Sequence, residues 1–206
     1  FFIEHNRGHH KHVATDRDPA TARFGEAIYT FWFRSVSGSW RSAWALEQER
    51  LQKAGFATGI WQNEMVRFSI VQALWLTVIF IFLGWKALFG AVAIAAVGVL
   101  LLETINYIEH YGLQRRLLPS GRLEPVTPAH SWNSNHEMGR IFLYELTRHS
   151  DHHFKATRKY QILRHTAQSP QLPLGYPTSM LLALVPPLWF ALMNPRVQQL
   201  RADLTM

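Results

Sequence analysis

The amino-acid sequence predicts an all-α protein, a multi-pass membrane helical bundle with a histidine-rich helical cap. Three observations support this fold class. Two nearly uncharged apolar runs, 68–85 and 87–105, contain 18 and 19 residues, and about 20 apolar residues suffice for a helix to cross a bilayer. An amphipathic helical pattern precedes these runs. Two histidine triads lie in the polar segments on either side of them.

The composition restricts the possible chemistry. The chain has 206 residues and a formal charge of +7, and it contains no cysteine. This excludes disulfides, thiolate zinc sites, iron–sulfur clusters and cysteine nucleophiles, so a redox metal would be held by histidine and carboxylate. The length fits one domain over residues 1–206. Because the chain starts at Phe1 and a histidine cluster follows at once, we expect an N-terminally truncated piece of a longer chain.

The first histidine triad lies in EHNRGHH, residues 4–10. Imidazole is the commonest side-chain metal ligand. On an α-helix His5 and His9 would share a face, and His10 would lie about 100° further round. A solvated surface run of histidines is the alternative interpretation.

The segment that follows a predicted turn at residues 16–19 has the pattern of an amphipathic helix, which we expect Asp18 or Thr21 to cap. Apolar and basic residues recur on opposite faces, which is typical of a helix at a membrane surface. An ordinary core helix would show the same pattern. The apolar positions are Phe24, Ile28, Phe31, Trp32, Trp40, Trp44 and Leu51, and the basic ones are Arg34, Arg41, Arg50 and Lys53.

The two apolar runs predict a pair of spanning helices, separated only by Gly84 and Lys86. A buried core hairpin of a soluble domain is the competing interpretation. A hairpin of two spans returns the chain to its starting side, so both triads would face one compartment. Residues 1–64 contain eight Lys and Arg and residues 113–172 contain nine, which places this side in the cytoplasm by the positive-inside rule.

Polar residues collect where the second span ends, in ETINYIEHYG, residues 103–112. Glu103, Asn106 and His110 lie on one helical face, and ionisable residues at such depth are candidates for a functional site. Decoration of the membrane interface is the alternative explanation.

The second triad lies in RHSDHH, residues 148–153, at the end of a helix predicted over residues 138–148. His149, His152 and His153 can all point one way, because residues three and four apart share a helical face. Two triads supply six nitrogens, more than one tetrahedral zinc can use, so the spacing indicates a polynuclear site. Residues 179–193 are apolar but too short for a span and are interrupted by Pro186 and Pro187, so we expect an interfacial or re-entrant piece.

Together these segments resemble the membrane-bound alkane 1-monooxygenases within the integral-membrane fatty-acid desaturase and hydroxylase superfamily. EHNRGHH is similar to their second histidine box and RHSDHH to their third. NYIEHYG (residues 106–112) and HSWNSNH (residues 130–136) are similar to further alkane-hydroxylase signatures, and all four occur in order. A first, HELGHK-like box is absent from the chain. Leu-Thr-Arg precedes the third triad where Leu-Gln-Arg is usual.

The resemblance implies two non-haem iron ions as cofactor, which themselves form the catalytic centre without a separate acid or base. The implied iron ligands are His5, His9, His10, His110, His149, His152 and His153. Metal-bound histidines need hydrogen-bond acceptors around them; the candidates for this second layer are Glu4, Glu103, Asn106, Glu109, Asp151, His130 and His136. We expect His12 and His165 to be solvated. The residues that bind substrate are not indicated.

The resemblance also implies a reaction, the hydroxylation of the terminal methyl of n-alkanes to 1-alkanols with O₂. The electrons would come from rubredoxin and its reductase, in the cytoplasmic membrane of a bacterium. No nucleic-acid partner is expected. The basic segments would attract an acidic donor, or they only fix the membrane topology. Without the first box this piece alone should be inactive.

Two other functions stay open. One is another diiron member of the superfamily, such as an aromatic side-chain hydroxylase or a fatty-acyl desaturase, which NYIEHYG and HSWNSNH disfavour. The other is a non-catalytic membrane metal binder or transporter. A transporter predicts ionisable ligands inside the spans, where residues 68–102 contain only Lys86.

Overall fold

The computed structural model describes residues 1–55 and 60–203. Its helices, in chain order, are α1 (Phe2–Glu4), a π-helical turn (His5–His9), α2 (His10–His12), α3 (Ile28–Lys53), α4 (Glu64–His110), α5 (Glu137–Phe142), α6 (His149–Phe154), α7 (Tyr176–Ala183) and α8 (Pro186–Asp203), with 3₁₀ turns at Pro128–His130 and Tyr160–Ile162. Within these described ranges, β-pairing is limited to two isolated bridges. The all-α prediction is therefore confirmed.

Helix α4 contains both apolar runs and is broken at Gly84, where φ is 78° and ψ is 179°. A positive φ costs glycine little and other residues much more. Trp75 and Ile94 lie at similar distances before and after Gly84 and line the same groove, so the chain reverses direction there. Each arm is long enough to cross about 30 Å of hydrocarbon.

The surface of α4 is largely uncovered. Among the described helices, α4 is the one that is long and apolar enough to cross a membrane, and α7 and α8, bent by 119°, pass the same test only as a broken pair. In α4 just 11% of the most apolar window is buried. A buried core hairpin would be mostly covered, so this exposure disfavours that alternative. The bent pair covers the segment expected to be interfacial or re-entrant.

Helix α3 begins at Ile28, after a loop that the sequence did not predict. Its N-cap is Ala27, which makes no side-chain cap, so the expectation of a cap from Asp18 or Thr21 is wrong. Arg34 fixes the loop instead by donating to the carbonyls of Pro19 and Thr21, each at 3.0 Å. A guanidinium can satisfy several acceptors at once, and it thereby holds the segment around Asp18 against α3.

The core lies beside the His110 end of α4. Residues 68–101 of this helix are mostly exposed, whereas residues 103–110 are mostly buried. Large aromatic side chains dominate this core and supply most of its apolar area; they include Phe31, Tyr107, Tyr111, Trp132, Tyr176 and Trp189. The packing fixes the base of the α4 hairpin and hence the position of His110.

Candidate metal centre

The first triad lies on the π-helical turn His5–His9 and the first residue of α2. On an α-helix, residues five apart differ by about 140°. A π-turn adds a residue to the helical turn, so residues five apart come one above the other. The Nε2 atoms of His5 and His10 are accordingly 3.1 Å apart, and the rings of His5 and His9 are stacked at 5.2 Å. All three rings therefore lie together, whereas a regular α-helix would have turned His10 away from the face shared by His5 and His9.

The second triad starts a helix of its own. The helix predicted over residues 138–148 stops at Phe142, and Tyr144 and Glu145 follow with positive φ. Helix α6 then begins at His149, so the expectation that the triad ends the earlier helix is wrong. The predicted spacing still holds within α6, where the Nε2 atoms of His149 and His153 are 2.8 Å apart.

The structure brings the seven candidate ligands into two adjacent groups. The buried group comprises His9, His110, His149 and His153, and the half-buried group comprises His5, His10 and His152. Within each group, one nitrogen from every ring lies within 4.8 Å of the others. The groups adjoin, since the ring centroids of His10 and His153 are 4.8 Å apart. Seven converging imidazoles from four separate helical segments form a candidate site for more than one metal ion.

Burial keeps most of these rings neutral, which is the form that binds metal. Desolvation disfavours the imidazolium and lowers the pKa of His149 and His153 well below the usual value. In the half-buried group, desolvation and neighbouring histidines lower the pKa of His5 to about 2 and that of His10 to about 4. The rings are therefore ready to bind cations without first losing protons at neutral pH.

Asp18, which the sequence pattern indicates only as a candidate helix cap, orients His9 instead. Its Oδ2 atom is 2.8 Å from His9 Nδ1 and also accepts a hydrogen bond from the Thr21 hydroxyl. Burial opposes the imidazolium, but the Asp18 carboxylate outweighs it and raises the pKa of His9. The remaining ring nitrogen, His9 Nε2, is buried and has no hydrogen-bond partner within the described residues. A buried, orphaned nitrogen that faces other histidines fits a metal ligand.

The segment 130–136 links the ends of α4 and α6. Ser131 Oγ lies 3.4 Å from His110 Nδ1, and the indole of Trp132 donates to the Tyr111 carbonyl at 2.9 Å. The side-chain oxygen of Asn133 accepts the backbone N–H of Ser150 at 3.0 Å. This signature therefore fixes the distance between His110 and the second triad.

Some of the candidates for the second layer lie beside the histidines, and the others bind elsewhere. The first class comprises Glu4, Glu103, Asn106 and Glu109. Glu109 Oε2 is 3.1 Å from His149 Nε2. Burial and Asp18 raise the pKa of Glu4 to about 7. Glu103 is buried and accepts a hydrogen bond from the Ser35 hydroxyl at 2.5 Å, and Asn106 donates to the same Glu103 oxygen at 3.5 Å.

The other candidates bind elsewhere. Asp151 pairs with Arg158 and accepts the backbone N–H of Arg164. The His130 ring contacts Glu124 and Thr127, although its backbone hydrogen-bonds His110. His136 and His165 are exposed and His12 is half-buried, so these three lie outside both histidine groups.

A cleft of about 1150 Å³ opens beside the half-buried group between α1, α3 and α4. Its walls are mainly apolar and aromatic, while His5, Glu4 and Glu103 line its polar part. The cleft could not be predicted from the sequence, because its lining residues come from segments that are far apart in the chain. The aromatic lining includes Trp32, Phe33, Trp40 and Phe68. Such a pocket suits a predominantly apolar ligand.

The chain matches known proteins over nearly all of its length. A family model described as fatty acid desaturase matches residues 1–182. The chain is 45% identical over 198 residues to alkane 1-monooxygenase 2 of Pseudomonas aeruginosa, covering 96% of this chain and 52% of that protein. It is 44% identical over 206 residues to alkane 1-monooxygenase of Acinetobacter baylyi, covering 100% of this chain and 50% of that protein.

A more distant relative acts on another substrate class. The xylene/toluene monooxygenase hydroxylase component XylM of Pseudomonas putida is 33% identical over 192 residues, covering 92% of this chain and 50% of that protein. The chain thus spans about half the length of the curated relatives it matches.

Proposed function

The chain belongs to the fatty acid desaturase family, and we propose that the full-length protein is a membrane diiron monooxygenase that hydroxylates the terminal methyl of n-alkanes. The observation that carries the proposal is the juxtaposition of two histidine groups with a large apolar cleft. The overall reaction consumes the alkane, O₂, two electrons and two protons and yields the 1-alkanol and water. The high identity to proteins named alkane 1-monooxygenase supports this substrate class.

Iron is the metal that best fits both the donors and the reaction. Imidazole suits iron, copper and zinc alike. An unpolarised methyl C–H bond requires a redox metal, which disfavours zinc, and the match to the fatty acid desaturase family favours iron over copper. When bound, a pair of irons would supply the activation of O₂, and the protein would supply ligation, orientation and a dry site. We assign one ion to the buried group and one to the half-buried group, with further ligands for the latter expected from the rest of the protein.

The residues of this chain have separate tasks in that reaction. The buried imidazoles of His149 and His153 are neutral and present lone pairs without prior deprotonation. Asp18 fixes the tautomer of His9 so that its Nε2 faces the other rings. The aromatic walls of the cleft would favour an apolar ligand over water and would orient a bound alkane with one end near His5, which lines the cleft. Such positioning lowers the entropic part of the barrier.

The proposed location is the cytoplasmic membrane of a bacterium, with residues 1–206 forming one domain and the two arms of α4 crossing the bilayer. The reversal at Gly84 supports a two-span topology because it returns His110 to the side of the first triad. The excess of Lys and Arg in the polar segments favours a cytoplasmic orientation. An alkane dissolved in the bilayer could then enter the cleft laterally.

Rubredoxin and its reductase are the proposed source of electrons. The net charge of +7 favours encounter with an acidic protein, and such steering weakens with ionic strength. Electron transfer from reduced rubredoxin to the full-length protein, followed by stopped-flow absorbance, should therefore slow as salt is raised. A salt-independent rate would argue against electrostatic docking.

The central experiment uses cells that express the full-length protein with rubredoxin and its reductase. We expect conversion of octane to 1-octanol and about two iron ions per chain in the purified protein. His149→Ala should abolish conversion and reduce bound iron, whereas His165→Ala, an exposed site, should not. Bound iron without any octane oxidation would reject the alkane hydroxylase and favour a metal-binding role.

Hydroxylation of an aromatic side chain is a second candidate, favoured by the 33% identity to the xylene/toluene hydroxylase component. Both reactions attack a methyl group, so the same centre could serve either. Competition between octane and p-xylene in the same cells separates them. The proposal requires octane to be preferred, and preferred oxidation of p-xylene would overturn it.

A further inference from the structure

Tyr176, Glu109 and His149 form a hydrogen-bonded series that ends at the buried histidine group. The Tyr176 hydroxyl donates to Glu109 Oε1 at 2.8 Å, and the other carboxylate oxygen, Oε2, lies 3.1 Å from His149 Nε2. Tyr176 and Glu109 are 0% and 1% exposed, so water does not replace either contact. Tyr176 is the first residue of α7, whereas Glu109 precedes His110 at the end of α4.

The nitrogen that Glu109 contacts is the one that faces the other rings. His149 Nε2 is 3.2 Å from His110 Nε2 and 2.8 Å from His153 Nε2. His149 Nδ1 is buried and has no hydrogen-bond partner among the described residues. An imidazole that binds a metal through Nε2 has no proton on that atom. Glu109 therefore cannot act as an acceptor for His149 once Nε2 is a ligand.

This geometry changes the interpretation of Glu109. A carboxylate that orients a metal-bound histidine from outside contacts the far nitrogen of the ring, as Asp18 contacts His9 Nδ1. Glu109 contacts the near nitrogen instead. Its oxygen therefore meets His149 at the nitrogen nearest to His110 and His153, where a carboxylate oxygen is a suitable iron donor.

We propose that Glu109 supplies a carboxylate oxygen to the metal position of the buried histidine group and that Tyr176 is the positioning residue that holds it there. The inference rests on the proposed iron centre. The Tyr176 hydroxyl donates a hydrogen bond to Glu109 Oε1 and so fixes the orientation of the carboxylate. Removal of that hydroxyl frees the buried carboxylate to rotate about its side-chain torsions. Helix α7 thereby acts on the metal through Glu109.

The test measures the metal rather than turnover. Full-length protein is loaded with ⁵⁷Fe as wild type, Tyr176→Phe, Glu109→Gln and the double variant, and Mössbauer spectra, iron content and reduction potential are recorded. Glu109→Gln should change the signal of one iron and raise its potential, because a buried negative charge that favours the oxidised ion is lost. Tyr176→Phe should change the same signal and leave the other unchanged.

The double variant decides whether Tyr176 acts through Glu109. The two effects should not add, so the double variant should match Glu109→Gln alone. The matched control is Tyr107→Phe, which removes another buried hydroxyl that donates to the Glu26 carbonyl, and it should leave both iron signals unchanged. Unaltered spectra in Glu109→Gln, or additive effects in the double variant, would overturn the proposal. Iron loading with these spectral changes but no alkane oxidation would instead reject only the proposed substrate.

Discussion

The two histidine groups differ in how the surrounding chain supports them. In the buried group, Asp18 fixes His9, the segment 130–136 contacts His110, and Glu109 contacts His149. In the half-buried group, His5, His10 and His152 contact mainly other rings, and His5 also stacks on Phe1. This chain alone therefore builds one nearly complete metal position and one open position, which borders the apolar cleft.

The difference teaches that similar histidine motifs do not create equivalent sites. Each triad contributes to both groups: His9 and His153 are buried while their neighbours His10 and His152 are half-buried. Partners such as the Asp18 carboxylate at His9 Nδ1 fix the geometry of the buried rings. The open group keeps access for small molecules. We expect the buried ion to be the tightly held one and the open position to be more easily emptied.

The largest expected effect comes from His153→Ala compared with His152→Ala in the full-length protein. Both should lower octane conversion by more than about 100-fold, since loss of a ligand exceeds the 10–100-fold typical of an outer partner. Retention of the remaining iron against a chelator should then distinguish them. His153→Ala should lose the tightly held ion of the buried position, so that chelation removes the rest quickly, whereas His152→Ala should keep one chelator-resistant ion per chain. Equal resistance to chelation in the two variants would contradict the distinction between the groups.

Asp18→Asn should act on the buried group alone. Loss of the carboxylate at His9 Nδ1 should weaken iron binding at that position by about 10–100-fold, measured by competition with a chelator. Asp16→Asn is the matched control, because Asp16 is exposed and only two residues away. If chelation removes iron equally fast from both variants, Asp18 has no role in holding His9.

Gly8→Ala tests the half-buried group through the π-turn. A Cβ at Gly8 would lie 2.4 Å from Glu4 Oε1 and 3.2 Å from Leu46 Cδ1. Such overpacking typically costs about 1–3 kcal/mol, and the displacement of Glu4 should disturb His5. The thermal midpoint in detergent should fall. Gly98→Ala, which meets nothing within 4 Å, should keep or slightly raise it, and a drop of equal size there would reject the packing explanation.

Trp132→Phe should have the smallest effect. It removes the hydrogen bond to the Tyr111 carbonyl but keeps an aromatic ring in the core, so we expect about 1 kcal/mol of destabilisation. Guanidinium or thermal unfolding of the full-length protein measures it. Trp61→Phe is the control, since Trp61 is 75% exposed. Greater destabilisation by the control would show that segment 130–136 does not support the site.

Much of the fold could be predicted because it depends on patterns among residues that are close together in the sequence. Long apolar runs interrupted by Gly84 indicate two helical arms wherever they occur, and the spacing of His149, His152 and His153 predicts one helical face. The cluster of seven histidines followed from family motifs. Whether the arms cross a membrane, and whether the seven rings bind iron, stay predictions.

The remaining features depend on contacts between distant segments. The position of Asp18 before a helix predicts a helix cap, because aspartate is favoured there. In the structure Arg34 binds the loop that contains Asp18, and the Asp18 carboxylate contacts His9. The apolar cleft forms only where segments that are far apart in the chain come together, so no single stretch of sequence indicates it. Likewise Asp151 follows the pattern of a partner for neighbouring histidines, but Arg158 lies closer and binds it. The early end of α5 depends on Tyr144 and Glu145 adopting positive φ, which their residue types disfavour.

The π-turn at His5–His9 makes the number of residues per helical turn part of the site. Because the turn contains one residue beyond the α-helical register, a single-residue deletion between His5 and His9 could restore regular winding. It would rotate every following side chain by about 100° and carry His10 away from His5, although all three histidines would remain. For this stretch, preserving the number of residues between the imidazoles matters as much as preserving the imidazoles.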